Sequence, residues 1–197
     1  MRQIMSVITP SVNEIEKYMK RWAVQENYVL QEKSLRKLFS KTYPENKIIE
    51  NVLIKVCALN DFYSTNIFSP FKVAKHIINL DIDKRLKRED LKLVDDIAQI
   101  RMGRGKVINF YSFATKYCSH HQPKVYPIYD SYVEKMLMYF KKIDKFADFS
   151  KNELRHYSLY KDVLLKFRKF YGLNKFDLKK IDIYLWQVGK KYFPKSY

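Results

Sequence analysis

The sequence predicts an all-α protein, and three observations carry that prediction. Apolar residues recur at the i, i+3, i+4 spacing of a helix face along almost the whole chain. Glycine is scarce, at 4 of 197 residues, and three of the four stand at turns or at the ends of periodic stretches. Start signals such as Ser11 with Glu14, and Ser69-Pro70, open these stretches. No repeat, low-complexity tract or long linker divides the chain. Hydrophobic residues, at 47%, suffice for one substantial core. The expectation is about eight to ten helices in a single domain over residues 1–197.

Each helix has its own justification. Residues 11–30 begin with a capping-box pattern, Ser11 and Glu14, and then place Ile15, Tyr18, Met19 and Trp22 on one face. Residues 46–60 carry Ile48, Ile49, Val52, Leu53, Val56 and Cys57 as a buried stripe. Ser69-Pro70 starts a helix with proline in its first turn. Asp90 opens a short helix, LKLVDDIAQI. RMGRG then forms a tight link to a helix from Lys106 to about His120, which Gln122-Pro123 ends. DSYVEKMLMYF is the next helix, and residues 141–153 are polar enough for a loop. Residues 157–171 stop at Gly172 and residues 177–188 at Gly189.

Charge narrows the function. There are 38 Lys and Arg against 21 Asp and Glu, a net +17. A bacterial-type lysine bias raises Lys and Glu together, so the imbalance implies an anionic partner, most simply nucleic acid. Sixteen tyrosines, 13 phenylalanines and 2 tryptophans fill the core and leave some rings to stack on bases. Two cysteines, Cys57 and Cys118, exclude a multi-cysteine zinc site and a four-cysteine iron–sulfur cluster, and suit a reducing cytosol. No apolar run reaches membrane-spanning length, and no secretory signal opens the chain. A cytoplasmic, prokaryotic, monomeric protein without a cofactor is expected.

The motif that carries chemistry is YPIYDSYVEKM. Asp130 stands between a proline-containing approach and a helix, and Ser131 with Glu134 gives a further S-x-x-E pattern. Capping alone accounts for both residues. A capping carboxylate is also fixed in place, and can stabilise positive charge that develops beside it in a reaction. Pro127, Tyr126 and Tyr129 would stiffen its approach.

The order of IRMGRGKVI, a helix and then YPIYDSYVEKM resembles the helix-hairpin-helix DNA glycosylase superfamily, the endonuclease III, AlkA and oxoguanine glycosylase type. Met102 to Ile108 is similar to that family's phosphate-binding hairpin, and Ile128 to Val133 to its aspartate motif. The resemblance implies a helix-hairpin-helix glycosylase-like fold of two helical lobes with a cleft between them. One lobe, about residues 45–140, would hold hairpin and aspartate; residues 1–44 and 141–190 would complete the fold. It also implies excision of a damaged or modified base from double-stranded DNA, in repair or in defence against phage DNA. Asp130 would be catalytic. A nucleophilic lysine would be Lys106 by position, with Lys116 second. Arg101, Gly103, Arg104, Gly105 and Ser131 would contact DNA, and Asn60, Asp61, Phe62 and Tyr63 would line the base pocket or wedge the duplex. The alternative is a non-catalytic nucleic-acid-binding or interaction module on the same scaffold.

His120-His121 beside Cys118 is the one local hint of a metal. Adjacent residues point apart on a helix and no carboxylate cluster is near, so no metal is expected and a helix C-terminus is the better reading. The run Lys84 to Arg88 reads as a solvated basic loop among Asp81, Asp83, Glu89 and Asp90.

Overall fold

Ser11 caps as its spacing predicts. Its Oγ accepts the Glu14 N–H at 3.2 Å and opens α1 (Val12–Ala23), whose Ile15 and Tyr18 are buried. The structure, a computed structural model, describes residues 7–194, apart from the Arg104 side chain. It is mostly helical, at 67%, with a two-stranded hairpin as the only sheet among the described residues.

The expected helix over residues 11–30 is two helices. α1 ends at Ala23, with Val24 as its cap, and α2 (Glu26–Lys37) leaves in a new direction, followed by a π-helical turn, Leu38–Thr42. Tertiary packing makes the break. The α1 face lies on the last helix, α10 (Leu178–Tyr192), whereas α2 reaches α3 (Ile49–Tyr63) and α7 (Tyr111–His121), and one straight helix cannot do both. Gln187 of α10 staples the corner, accepting from Gln25 at 3.2 Å and donating to the Tyr18 carbonyl at 3.1 Å.

On α3 the buried face includes Lys55 with Val52, Val56 and Leu59, while Ile48 and Cys57 point outward. Lys55 is tolerated because Nζ donates to the carbonyls of Tyr43 and Glu45 and to Asn46 Oδ1. Asn46 also bonds Asp83, Tyr117 and His121, so one polar knot ties the loop before α3 to α5 (Ile82–Lys87) and α7. α4 (Pro70–Asn79) packs along α3 and begins with proline as expected.

The glycine link is a β-hairpin, not a turn between helices. α6 (Lys92–Ala98) stops early, and β1 (Gln99–Arg101) pairs antiparallel with β2 (Val107–Asn109), Ile100 facing Ile108. The β-branched residues Ile100, Val107 and Ile108 suit strands. Gly105, at φ +74°, supplies the left-handed residue that the three-residue turn requires, and Met102 N–H closes it on the Lys106 carbonyl at 2.7 Å. The helix expected from Lys106 therefore starts at Tyr111, and no helix dipole stands behind the glycine amides.

α8 (Ser131–Asp144), α9 (Tyr157–Phe170) and α10 complete the fold, and one continuous apolar core runs from α1 to α10. Gly189 does not end α10, which continues to Tyr192. It is the place where α10 crosses α8: a Cβ there would lie 2.7 Å from the Tyr132 carbonyl oxygen. Helix propensity alone predicts that Gly189→Ala gains about 1 kcal/mol. The backbone clash reverses the sign, and a loss of about 1–3 kcal/mol is expected from denaturant unfolding.

Candidate active site

Asp130 is delivered to the surface of a cleft by a buried extended segment, residues 126–129, between α7 and α8. Side chains hold this segment in place of a β-ladder. Tyr157 and Tyr160 of α9 donate to the carbonyls of Pro127 (2.8 Å) and Ile128 (2.6 Å). Asp182 of α10 accepts the Ile128 N–H at 3.1 Å, and Thr115 Oγ1 of α7 accepts the Tyr129 N–H at 3.1 Å. Ser112 Oγ donates to the Tyr129 carbonyl at 3.2 Å. Proline stands where no N–H needs a partner. The chain then turns into α8, and Asp130 Oδ1 caps it through the Tyr132 N–H at 2.8 Å.

The S-x-x-E pattern does not act as a capping box. Asp130 occupies the cap, and Glu134 turns inward to the Tyr129 hydroxyl, to Lys151 at 3.1 Å and to Arg155 at 3.2 Å. The pattern misled because Ser131 is already helical and exposed, one position too late to cap.

The cleft has a volume of about 310 Å³, within the range of small-ligand sites. Trp22, Tyr28, Phe62, Tyr63 and Trp186 give it aromatic walls. Lys116, Lys179 and Lys190 meet Glu32, Asp130 and Asp182 inside it. Lys116 is 3% exposed and anchored by Ser112 Oγ at 2.5 Å. Its ammonium lies 5.2 Å from the Tyr63 ring centre. Burial pulls its pKa down to about 8, against the pull of Asp130 and Asp182. Burial pushes Asp182 up to about 7, opposed by Lys179 and the Ile128 N–H. Burial also lowers Lys179, but Asp182 and Glu32 (3.5 Å away) outweigh it and hold the lysine above its usual range. A lysine that sheds its proton near neutrality is a usable nucleophile, and a carboxylate beside it can steady developing positive charge.

The sequence-derived residues divide clearly. Asp130 and Lys116 come together on the cleft wall, with Phe62 and Tyr63 beside them. Lys106 does not join them. It is exposed on the hairpin and absent from the cleft, because the strand that replaces the expected helix carries it away. Arg101, Gly103 and Gly105 sit exposed on the same hairpin, and the Arg104 side chain lies outside the described residues. Asn60 is structural: its side chain bonds Thr65 and both the N–H and the carbonyl of Ile67, closing the loop after α3. Asp61 is exposed and does not line the cleft. His120 bonds the Tyr63 hydroxyl at 3.0 Å and is held neutral by burial, with a pKa of about 4. No group of three or more metal-ligating side chains occurs among the described residues.

Glu32, Lys179, Asp182 and the two tryptophans are cleft residues that sequence reading passed over. Asp182 had a signal: an acidic residue inside the apolar face made by Leu178, Ile181 and Leu185.

Comparison with known proteins adds a family. The HI_0787_N family, described as an N-terminal domain, matches residues 14–125. The chain belongs to that family. A Haemophilus influenzae protein, named only as an uncharacterized protein, is 50% identical over 153 residues, 77% of this chain and 73% of that protein. No solved structure matches. The HI_0787_N stretch ends just before Tyr126, so it contains Trp22, Glu32, Tyr63 and Lys116 but neither Asp130 nor Asp182. The cleft is completed by the residues that follow the family domain.

Asp182 offers a test of this electrostatic picture. In the folded protein it keeps a proton up to about pH 7, whereas its ordinary value is 3.8. The folded state binds more protons between those values, so stability falls as pH rises from about 4 to 7. Asp182→Asn has no such proton to lose. Relative to the native chain, its stability should rise across that window, read as denaturant midpoints at each pH. Parallel curves would contradict the assignment.

Proposed function

We propose that this protein is a DNA N-glycosylase, built on a scaffold related to the helix-hairpin-helix glycosylases with the cleft between two helical lobes. The observation that carries the reading is one aromatic cleft that brings together a buried lysine, Lys116, and a helix-capping carboxylate, Asp130. Further support comes from the net charge of +17, which suits a phosphate backbone. The exposed hairpin with Arg101, Gly103, Gly105 and Lys106 supplies backbone contacts, as does Ser131 at the start of α8.

In this reading a damaged or modified nucleotide leaves the duplex and its base enters between the aromatic walls. Phe62, 37% exposed at the end of α3, fills the gap left in the stack. The neutral Lys116 amine attacks C1′. The bond from C1′ to the base breaks, and its electron pair leaves with the base, which takes up a proton. The Asp130 carboxylate faces the electron-poor sugar and lowers the barrier electrostatically. Loss of the amine proton and opening of the C1′–O4′ bond, with a proton delivered to O4′, then leave an imine between C1′ and Nζ. Loss of a C2′ proton to water, with breakage of the C3′–O bond and departure of the 3′-phosphate, forms a C2′=C3′ double bond and nicks the strand; water then hydrolyses the imine and frees the Lys116 amine.

Duplexes carrying a panel of lesions and hypermodified bases test the proposal. Strand breaks without alkali are expected with the native protein and should fall by about 10²–10³-fold in Asp130→Asn, with DNA binding kept. Borohydride should trap a covalent adduct with the native chain and with Lys106→Ala, but not with Lys116→Met. Binding without breaks across a wide panel would instead indicate a module that holds nucleic acid without cutting it.

A further inference from the structure

A second groove, about 320 Å³, opens beside the cleft, and the two share Trp186 and Lys190. Tyr18, Arg21, Gln25, Gln187 and Lys191 complete its lining, with no carboxylate among them. Arg21, Lys190 and Lys191 are exposed, and none of the three pairs with a carboxylate among the described residues. In a protein where Lys175, Lys179 and others find acidic partners, three unpaired cations at one groove are a local excess of charge.

Through Trp186 the groove adjoins the aromatic cluster of the cleft wall, in which Trp22 and Tyr28 stand on the cleft side. Trp22 stacks on Tyr28 with ring centres 5.8 Å apart and planes 18° apart. Trp186 meets both edge-on, at 5.9 Å and 5.1 Å. Lys190 lies over Tyr28 at 4.8 Å and over Trp186 at 5.0 Å, so cation and rings form one surface. Beneath it the floor is rigid, because Gln187 holds Gln25 and the Tyr18 carbonyl. Rings beside unpaired cations match a nucleotide, whose base stacks while its phosphate meets the charge.

We propose that this groove binds the nucleotide adjoining the one that enters the cleft, its phosphate on Arg21 and Lys191 and its base against the Trp186 face. The groove thereby keeps the strand continuous past the aromatic wall, with Lys190 at the junction. This extends the glycosylase reading and rests on it for the word "adjoining". The binding itself is separately measurable.

The chain has two tryptophans, Trp186, which lines both groove and cleft, and Trp22, which lines the cleft, so intrinsic tryptophan fluorescence reports on a ligand in either, and the groove variants assign the signal. Titration of the full chain with the thymidylate tetranucleotide dT4 at low salt should quench it saturably. Arg21→Glu with Lys191→Glu should weaken that binding by about tenfold or more, and the dependence on salt should flatten. The same two charge changes on the exposed face of α9, Lys166→Glu with Lys169→Glu, control for net charge and should shift the titration much less. Equal weakening by both pairs, or no quench at all, overturns the proposal. Quenching as strong with ribose 5-phosphate or with a poly-glutamate peptide overturns the assignment to a nucleotide. A dT4 quench lost in the groove pair, from a protein that excises no base in the duplex panel, sinks the glycosylase reading and leaves the nucleotide site standing. Excision without any groove-dependent quench does the reverse.

Discussion

The site depends on how the extended segment Tyr126 to Tyr129 satisfies its backbone. A buried strand without neighbours is costly, since each unpaired N–H or carbonyl loses its water and gains nothing. Here the Tyr126 N–H donates to the Gln122 carbonyl at 3.0 Å, and the other partners are side chains from three helices: Tyr157 and Tyr160 from α9, Asp182 from α10, Ser112 and Thr115 from α7. These bonds each contribute about 1 kcal/mol net, but their loss would strand a buried group at a higher cost. They also set direction. The segment can leave only where α8 begins, and that places Asp130 on the cleft wall.

The same bonds link fold to electrostatics. Asp182 holds Ile128 and also supplies negative charge near Lys116. Ser112 holds Tyr129 and also accepts from the Lys116 ammonium. Structural and chemical roles are therefore shared by single side chains. Burial alone would drive Lys116 far toward neutrality, and two carboxylates restrain it to a value near 8. The result is an amine poised close to physiological pH, with neutral His120 and the Tyr63 ring forming its far side.

The HI_0787_N domain boundary falls at a physically sensible place. The matched residues, 14–125, include α1 to α7 and therefore the lysine. The residues beyond supply the aspartate, the clamp from α9 and the wall from α10. Neither part makes the cleft alone. Gly189 shows how close the later helices must come, since a Cβ there would meet the Tyr132 backbone carbonyl of α8.

Helical content, the caps at Ser11 and Asp130 and the proline start of α4 were all legible in the sequence, because each rests on local periodicity or on one residue's own hydrogen bond. Lys116 was visible only as a second choice, since a chain with 38 basic residues offers a lysine almost anywhere. Tertiary structure decided the rest. It broke residues 11–30 into two helices, because their partners lie in different directions. It turned the glycine link into a β-hairpin, because strand pairing between Gln99–Arg101 and Val107–Asn109 outweighed the helical pattern that continues from Phe110. It chose Lys116 over Lys106 for the cleft, and it recruited Asp182, Glu32 and both tryptophans from remote segments. Which buried charge faces which depends on helices that meet only after folding, and spacing along the chain does not contain that distance.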